Sequence, residues 1–95
     1  MWDKGLFEII AMIESADEAE KFLLDLCTPQ ELKAMKERWQ VCQMLECGKL
    51  SYREISNAIG ASTTTVTRVA RFLNSEPYGG YRSLITKIKS EGKNV

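Results

Sequence analysis

The 95-residue chain balances thirteen Lys/Arg against thirteen Asp/Glu, contains no histidine, and is 44% hydrophobic with only two prolines and six glycines. That length and composition describe one ordinary globular domain (residues 1–95) with a limited core, and argue against a disordered chain. No apolar run reaches the ~18 residues of a membrane-spanning helix, and the acid-bearing start MWDKGLFEII does not read as a signal peptide, so a cytoplasmic location is expected.

Leu6, Ile9, Ile10 and Ile13 share one helical face, with Phe7 and Met12 beside it. This segment is expected to end near Glu14. Ser15 followed by Glu18 makes a capping box before a helix over 16–26, whose stripe is Phe22, Leu23 and Leu26. Trp2, Phe7 and Phe22 read as packing residues. Thr28-Pro29-Gln30-Glu31 is the strongest helix start in the chain: threonine caps, proline takes the first helical position and glutamate closes the box. A long helix then runs to about Cys47, with Gly48 as terminator. Leu32, Met35, Trp39 and Cys42 form one stripe on it, and Ala34, Val41, Met44 and Leu45 widen that stripe. A helix so broadly apolar must be covered on more than one side, as a central helix and part of a dimer interface.

Leu50 to Asn74 carries the densest signal. Ser51 and Glu54 form another capping box. Ile55 and Ile59 lie one turn apart on one face. Gly60 can adopt the left-handed conformation of a sharp exit, and Ser62 or Thr63 can cap the next helix. Val66, Val69, Ala70 and Leu73 then recur at one-face spacing. Helix, tight turn, helix is the pattern of a helix-turn-helix DNA-binding unit. The outward face of the second helix carries Thr64, Arg68 and Arg71, flanked by Thr65 and Thr67. Small hydroxyl residues allow close backbone approach, and arginines reach phosphates or base edges. On an isolated helix the same residues would read as caps and solvated surface; the capped helix and glycine before them favour DNA. Phe72 falls about 70° from the outward centre at 100° per residue, so its ring needs cover from the last helix or a second subunit.

Ser75-Glu76-Pro77-Tyr78-Gly79-Gly80 breaks the pattern. Tyr81 to Lys89 resumes a helix with Tyr81, Leu84, Ile85 and Ile88 on one side, and residues 90–95 are expected to fray. No strand-like alternation appears, so the fold class is all-α with six helices.

Charge is segregated. Residues 1–48 hold ten Asp/Glu against five Lys/Arg, whereas residues 49–90 hold seven Lys/Arg against two Asp/Glu. The basic half contains the DNA-reading pattern. Three cysteines, at 27, 42 and 47, lack metal-ligand or disulfide spacing; Cys27 and Cys42 read as buried small hydrophobes and Cys47 as partly exposed. The acidic residues of the first half read as solvated surface rather than metal ligands. Without histidine, no acid/base pair is spaced for catalysis. Neither enzyme nor cofactor is expected. A helical protein-interaction domain is the main alternative to a DNA binder.

The chain resembles the Trp-repressor superfamily, and especially its small YerC/YecD branch. The resemblance rests on Leu26-Cys27-Thr28-Pro29-Gln30-Glu31, Arg38, Leu45 followed by Gly48, Leu50-Ser51-x-Arg53-Glu54-Ile55, and Ile59-Gly60-Ala61-Ser62-x-x-Thr65-Val66-Thr67-Arg68. It covers roughly residues 22–89. The resemblance implies an intertwined homodimer that binds operator DNA. Arg53 matches the arginine that reaches DNA from the first helix of the motif. Ser62, Thr63, Thr64, Thr65 and Thr67 match the start of the recognition helix. With Asn57, Arg68 and Arg71 they make up the expected DNA-binding set. The repressor itself uses tryptophan as corepressor. Arg38 and Arg68 match its two ligand-embracing arginines, and Thr28 a pocket residue. Val69 stands where the repressor has a glycine that makes room for the indole, and Phe72 where it has a serine that receives the ligand's amino group. A phenyl ring cannot accept that hydrogen bond, so Val69 and Phe72 are expected to fill a vestigial pocket, with no tryptophan bound. The superfamily also includes an origin-binding replication-initiator domain, which makes a replication role an alternative to transcription.

Overall fold

In the computed structural model, which describes residues 2–93, six helices form: α1 (Leu6–Ala11), α2 (Ala16–Leu26), α3 (Pro29–Cys47), α4 (Tyr52–Ile59), α5 (Thr63–Asn74) and α6 (Gly80–Lys93). No strand occurs among the described residues. The chain divides into two compact units, one up to Ala34 and one from Met35 onwards.

In the first unit, Gly5 starts α1, its N–H donating to Glu8 Oε1 at 3.1 Å. The helix stops at Ala11, short of the expected Glu14. The chain beyond it tightens, with Met12 N–H donating to the Ile9 carbonyl at 3.0 Å and Ile13 N–H to Ile10 at 3.1 Å. The next residues are already committed to α2. Ser15 Oγ accepts the Glu18 N–H at 3.1 Å, and Glu18 Oε1 accepts the Glu14 N–H at 2.9 Å. The expected capping box is therefore half correct: glutamate reaches one residue past the cap serine. Neither α1 nor α2 contains a fully buried residue. Phe22 and Leu23 are partly buried, while Leu26 is exposed.

The Thr28 box forms in full. Thr28 Oγ1 accepts the Glu31 N–H at 3.1 Å and Glu31 Oε1 accepts the Thr28 N–H at 2.8 Å. Those bonds to the charged form hold the Glu31 carboxyl below its ordinary pKa. At the far end of α3 the Gly48 N–H is shared between the Met44 and Leu45 carbonyls, and Gly48 turns out at φ +69°.

The core of the second unit is Val41, Cys42, Ile55, Ala61, Val66, Val69, Leu73 and Ile85, with Trp39, Met44, Leu45, Ile59 and Tyr81 packed against it. On α3, Val41 and Cys42 are fully enclosed and Leu32 is buried at 8%, whereas Met35 from the expected stripe is 42% exposed. Burial raises the Cys42 thiol pKa; Cys27 is partly buried and Cys47 exposed. On α6, Ile85 and Tyr81 turn inward one turn apart, leaving Leu84 and Ile88 exposed on the adjacent face. The helix also runs a full turn past Lys89. Gly92 stays helical rather than turning left-handed, and one glycine near a helix end costs only about 1 kcal/mol. Residues 94 and 95, also expected to fray, lie outside the described residues.

An ionic contact joins α3 to α6. Glu46 Oε1 accepts from Arg82 Nη1 at 2.7 Å, and Glu46 Oε2 from Lys89 Nζ at 2.5 Å. Arg82 also reaches Asn74 Oδ1, at the end of α5, at 3.4 Å. The Lys89 and Arg82 hydrogen bonds pull the Glu46 pKa down.

Candidate nucleic-acid interface

Local chemistry sets the geometry of α4, turn and α5. Ser51 Oγ accepts the Glu54 N–H at 3.1 Å and Glu54 Oε1 the Ser51 N–H at 3.0 Å, which starts α4 and lowers the Glu54 pKa. α4 ends on Gly60 at φ +81°. A β-carbon there would meet nothing, so the glycine serves backbone conformation rather than space. Ser56 Oγ donates to the Ala61 carbonyl at 2.5 Å, bracing the turn from inside. Ser62 caps α5, its Oγ accepting the Thr65 N–H at 3.1 Å.

The inward side of α5 is Val66, Val69, Ala70 and Leu73, each under 8% exposed. Helical geometry then sends Thr64, Arg68 and Arg71 outward, and all three are exposed. Thr63, Thr64, Thr67, Arg68 and Arg71 line a shallow open depression of about 440 Å³ on that face. The first turn of α5 carries no acidic residue, so the positive end of its dipole is not neutralised there. Two threonine hydroxyls are partly committed internally. Thr65 Oγ1 lies 3.0 Å from Ser62 Oγ, and Thr67 Oγ1 donates to the Thr63 carbonyl at 3.0 Å. Arg53 and Asn57 are exposed on α4.

Of the residues matched to an effector pocket, Thr28 caps α3 in the first unit. Val69, 1% exposed, belongs to the core of the second. Phe72 is partly buried. Its ring sits beneath the Arg68 guanidinium, with the carbon 4.4 Å from the ring centroid, and that of Arg71 at 5.1 Å. Tyr78, from the turn after α5, stacks near-parallel to it at 13° and 6.3 Å. Arg68, Arg71 and Tyr78 thus cover part of the Phe72 ring. Glu76 Oε1 pairs with Arg71 Nε at 3.3 Å. Arg38 and Arg68 both act electrostatically on the Tyr81 phenol, whose pKa burial raises.

Sequence reading missed Tyr78, Glu76, Ser56 and the Glu46–Arg82–Lys89 contact. Ser56 sits five residues before its acceptor, and Glu46 thirty-six before Arg82. No periodicity links such pairs.

Among the described residues, no group of His, Cys, Asp or Glu could hold a metal ion, and no helix is long and apolar enough to cross a membrane. The family model for Trp repressor protein matches residues 1–89. The chain belongs to the Trp repressor family. The YerC protein of Bacillus subtilis (strain 168) is 36% identical over 86 residues, covering 88% of this chain and 79% of that protein. A Trp operon repressor homolog of Aliivibrio salmonicida is 37% identical over 71 residues, covering 72% and 66%. A TrpR-like protein from Eubacterium eligens superposes with a TM-score of 0.80 at 34% identity, covering 88% of this chain and 84% of that one. A putative Trp repressor from Staphylococcus aureus also gives 0.80, at 32% identity, covering 88% and 82%. At family level this is a DNA-binding transcriptional regulator.

Proposed function

We propose that the chain is a sequence-specific double-stranded DNA-binding repressor of transcription, cytoplasmic and homodimeric, that does not use tryptophan as corepressor. The observation that carries this is the outer face of α5. A start free of acidic residues, three threonines and two arginines line one exposed depression, and the back of the same helix is locked into the core. In this reading Ser62, Thr63, Thr64, Thr65 and Thr67 meet the major groove, Arg53 and Asn57 approach from α4, and Arg68 and Arg71 engage phosphates or base edges.

The dimer is supported by apolar surface. Phe7, Leu24 and Leu26 are 84%, 58% and 50% exposed in the single chain, apolar area that a second copy would cover. Two recognition helices about 34 Å apart would meet successive major grooves. Independence from tryptophan is supported by Arg68, which already stacks on an aromatic ring of its own chain.

Selection of binding sites from random duplexes tests the reading. A two-fold-symmetric motif, with affinity falling steeply as salt rises, is expected. No enriched motif and no salt dependence would overturn it in favour of a protein-interaction domain, and enrichment of a replication-origin repeat would shift the role from transcription to replication.

A further inference from the structure

We propose that Phe72 is a positioning residue for DNA binding, its ring holding the Arg68 and Arg71 guanidiniums in place on the exposed face of α5. The inference rests on the DNA-binding reading above and names the device that arranges two of its contacts.

Arginine side chains on an exposed helix sample many rotamers. Immobilising one at an interface lowers affinity by roughly two- to tenfold. Here both arginines have a fixed platform before any ligand arrives. Arg68 lies one turn before Phe72 and Arg71 immediately precedes it, and both guanidinium carbons sit within 5.1 Å of the ring centroid. A guanidinium is weakly hydrated and planar, so stacking on an aromatic face costs little desolvation and leaves its edge open for hydrogen bonds. The ring is itself supported by Tyr78, stacked near-parallel at 13°. Glu76 takes Arg71 through Nε at 3.3 Å, on the stem side of the fork that phosphates and guanine edges engage. Both arginines line the depression that begins at Thr63 and Thr64. An aliphatic residue would satisfy the packing at position 72, but only an aromatic one supplies a platform for charge.

The test compares F72L, which keeps apolar volume but loses the π face, with F72W, which keeps the face. Arginine Nε–Hε proton shifts by NMR report stacking, and titration of a random-sequence duplex pool and of the enriched duplex reports affinity. The expected result is ring-current-shifted Arg68 and Arg71 signals in wild type and F72W that collapse in F72L. F72L is expected to lose about three- to tenfold in affinity, F72W to retain it, and F72L to cost nothing further in an R68A/R71A background. R68K, which keeps charge but not the planar stack, gives the same comparison where F72L does not fold, and a weakening of similar size is expected. Wild-type affinity in F72L or R68K overturns the proposal, as does an undiminished F72L loss in the double-arginine background. A wild-type chain that binds no duplex defeats the DNA-binding reading itself, whereas a wild type that binds while F72L matches it defeats this proposal alone.

Discussion

The Arg68 guanidinium lies 4.4 Å above the Phe72 ring, one helical turn away on α5. An arginine matched by family resemblance to a ligand-holding role therefore has its guanidinium over a ring of its own chain. Free tryptophan would have to displace that contact and find a partner for its ammonium group where a phenyl ring stands. Isothermal titration is expected to show no saturable heat with tryptophan, and DNA affinity to be the same with and without it. A micromolar heat signal would sink the idea.

The turn between α4 and α5 depends on two small residues. Gly60 at φ +81° makes Gly60→Ala cost about 1–2 kcal/mol from backbone strain alone, since the space around it is open. Ser62→Ala removes the acceptor for the Thr65 N–H and is expected to cost about 1 kcal/mol. Urea unfolding midpoints measure both, and no change for Gly60→Ala would mean the turn has another conformation.

Stability should fall in acid for a definable reason. Glu31, Glu46 and Glu54 all have folded pKa values below the ordinary 4.5. A depressed carboxyl contributes stability that is complete above its unfolded value and lost as pH drops through its folded one. Thermal midpoints are thus expected to be insensitive to these groups near neutrality and to decline below about pH 5. Glu46→Gln, which deprives Arg82 and Lys89 of their shared acceptor, should lower the neutral midpoint and flatten the acid decline. An unchanged acid profile in that variant would count against the contact.

Binding and folding residues should separate cleanly on one helical unit. Ile55 is fully buried, so Ile55→Ala is expected to destabilise by about 2–5 kcal/mol and to lose DNA binding only through unfolding. Arg71 is exposed and pairs with Glu76 at the surface. Arg71→Ala should leave stability within about 0.5 kcal/mol and lower the salt slope of DNA binding by about one phosphate contact. Parallel denaturation and salt titrations distinguish the two, and equal salt slopes for wild type and Arg71→Ala would remove Arg71 from the interface.

The helices and their caps were legible in the sequence because their causes are local. Ser51 with Glu54, Thr28 with Glu31, and Gly60 before Ser62 each act within a few residues, so spacing alone names the start, the stop and the outward face of α5. Where local signals compete, the prediction slipped: the Glu18 carboxylate accepts from the Glu14 N–H rather than the Ser15 N–H, and α6 continues through Gly92. Relations carried by packing were not legible. That Val41 rather than Met35 enters the core, that Glu46 holds Arg82 from another helix, and that Phe72 takes cover from Tyr78 and two arginines all depend on helix positions set by distant contacts. The sequence alone determined that α5 presents threonines and arginines outward, because 3.6 residues per turn leaves those side chains no other face. Only the tertiary structure decided that Val69 and Phe72 part company, one enclosed among core residues and the other serving as a platform for Arg68. They lie about 60° apart around the helix at 100° per residue, close enough to be read together, and the packed neighbours separate them.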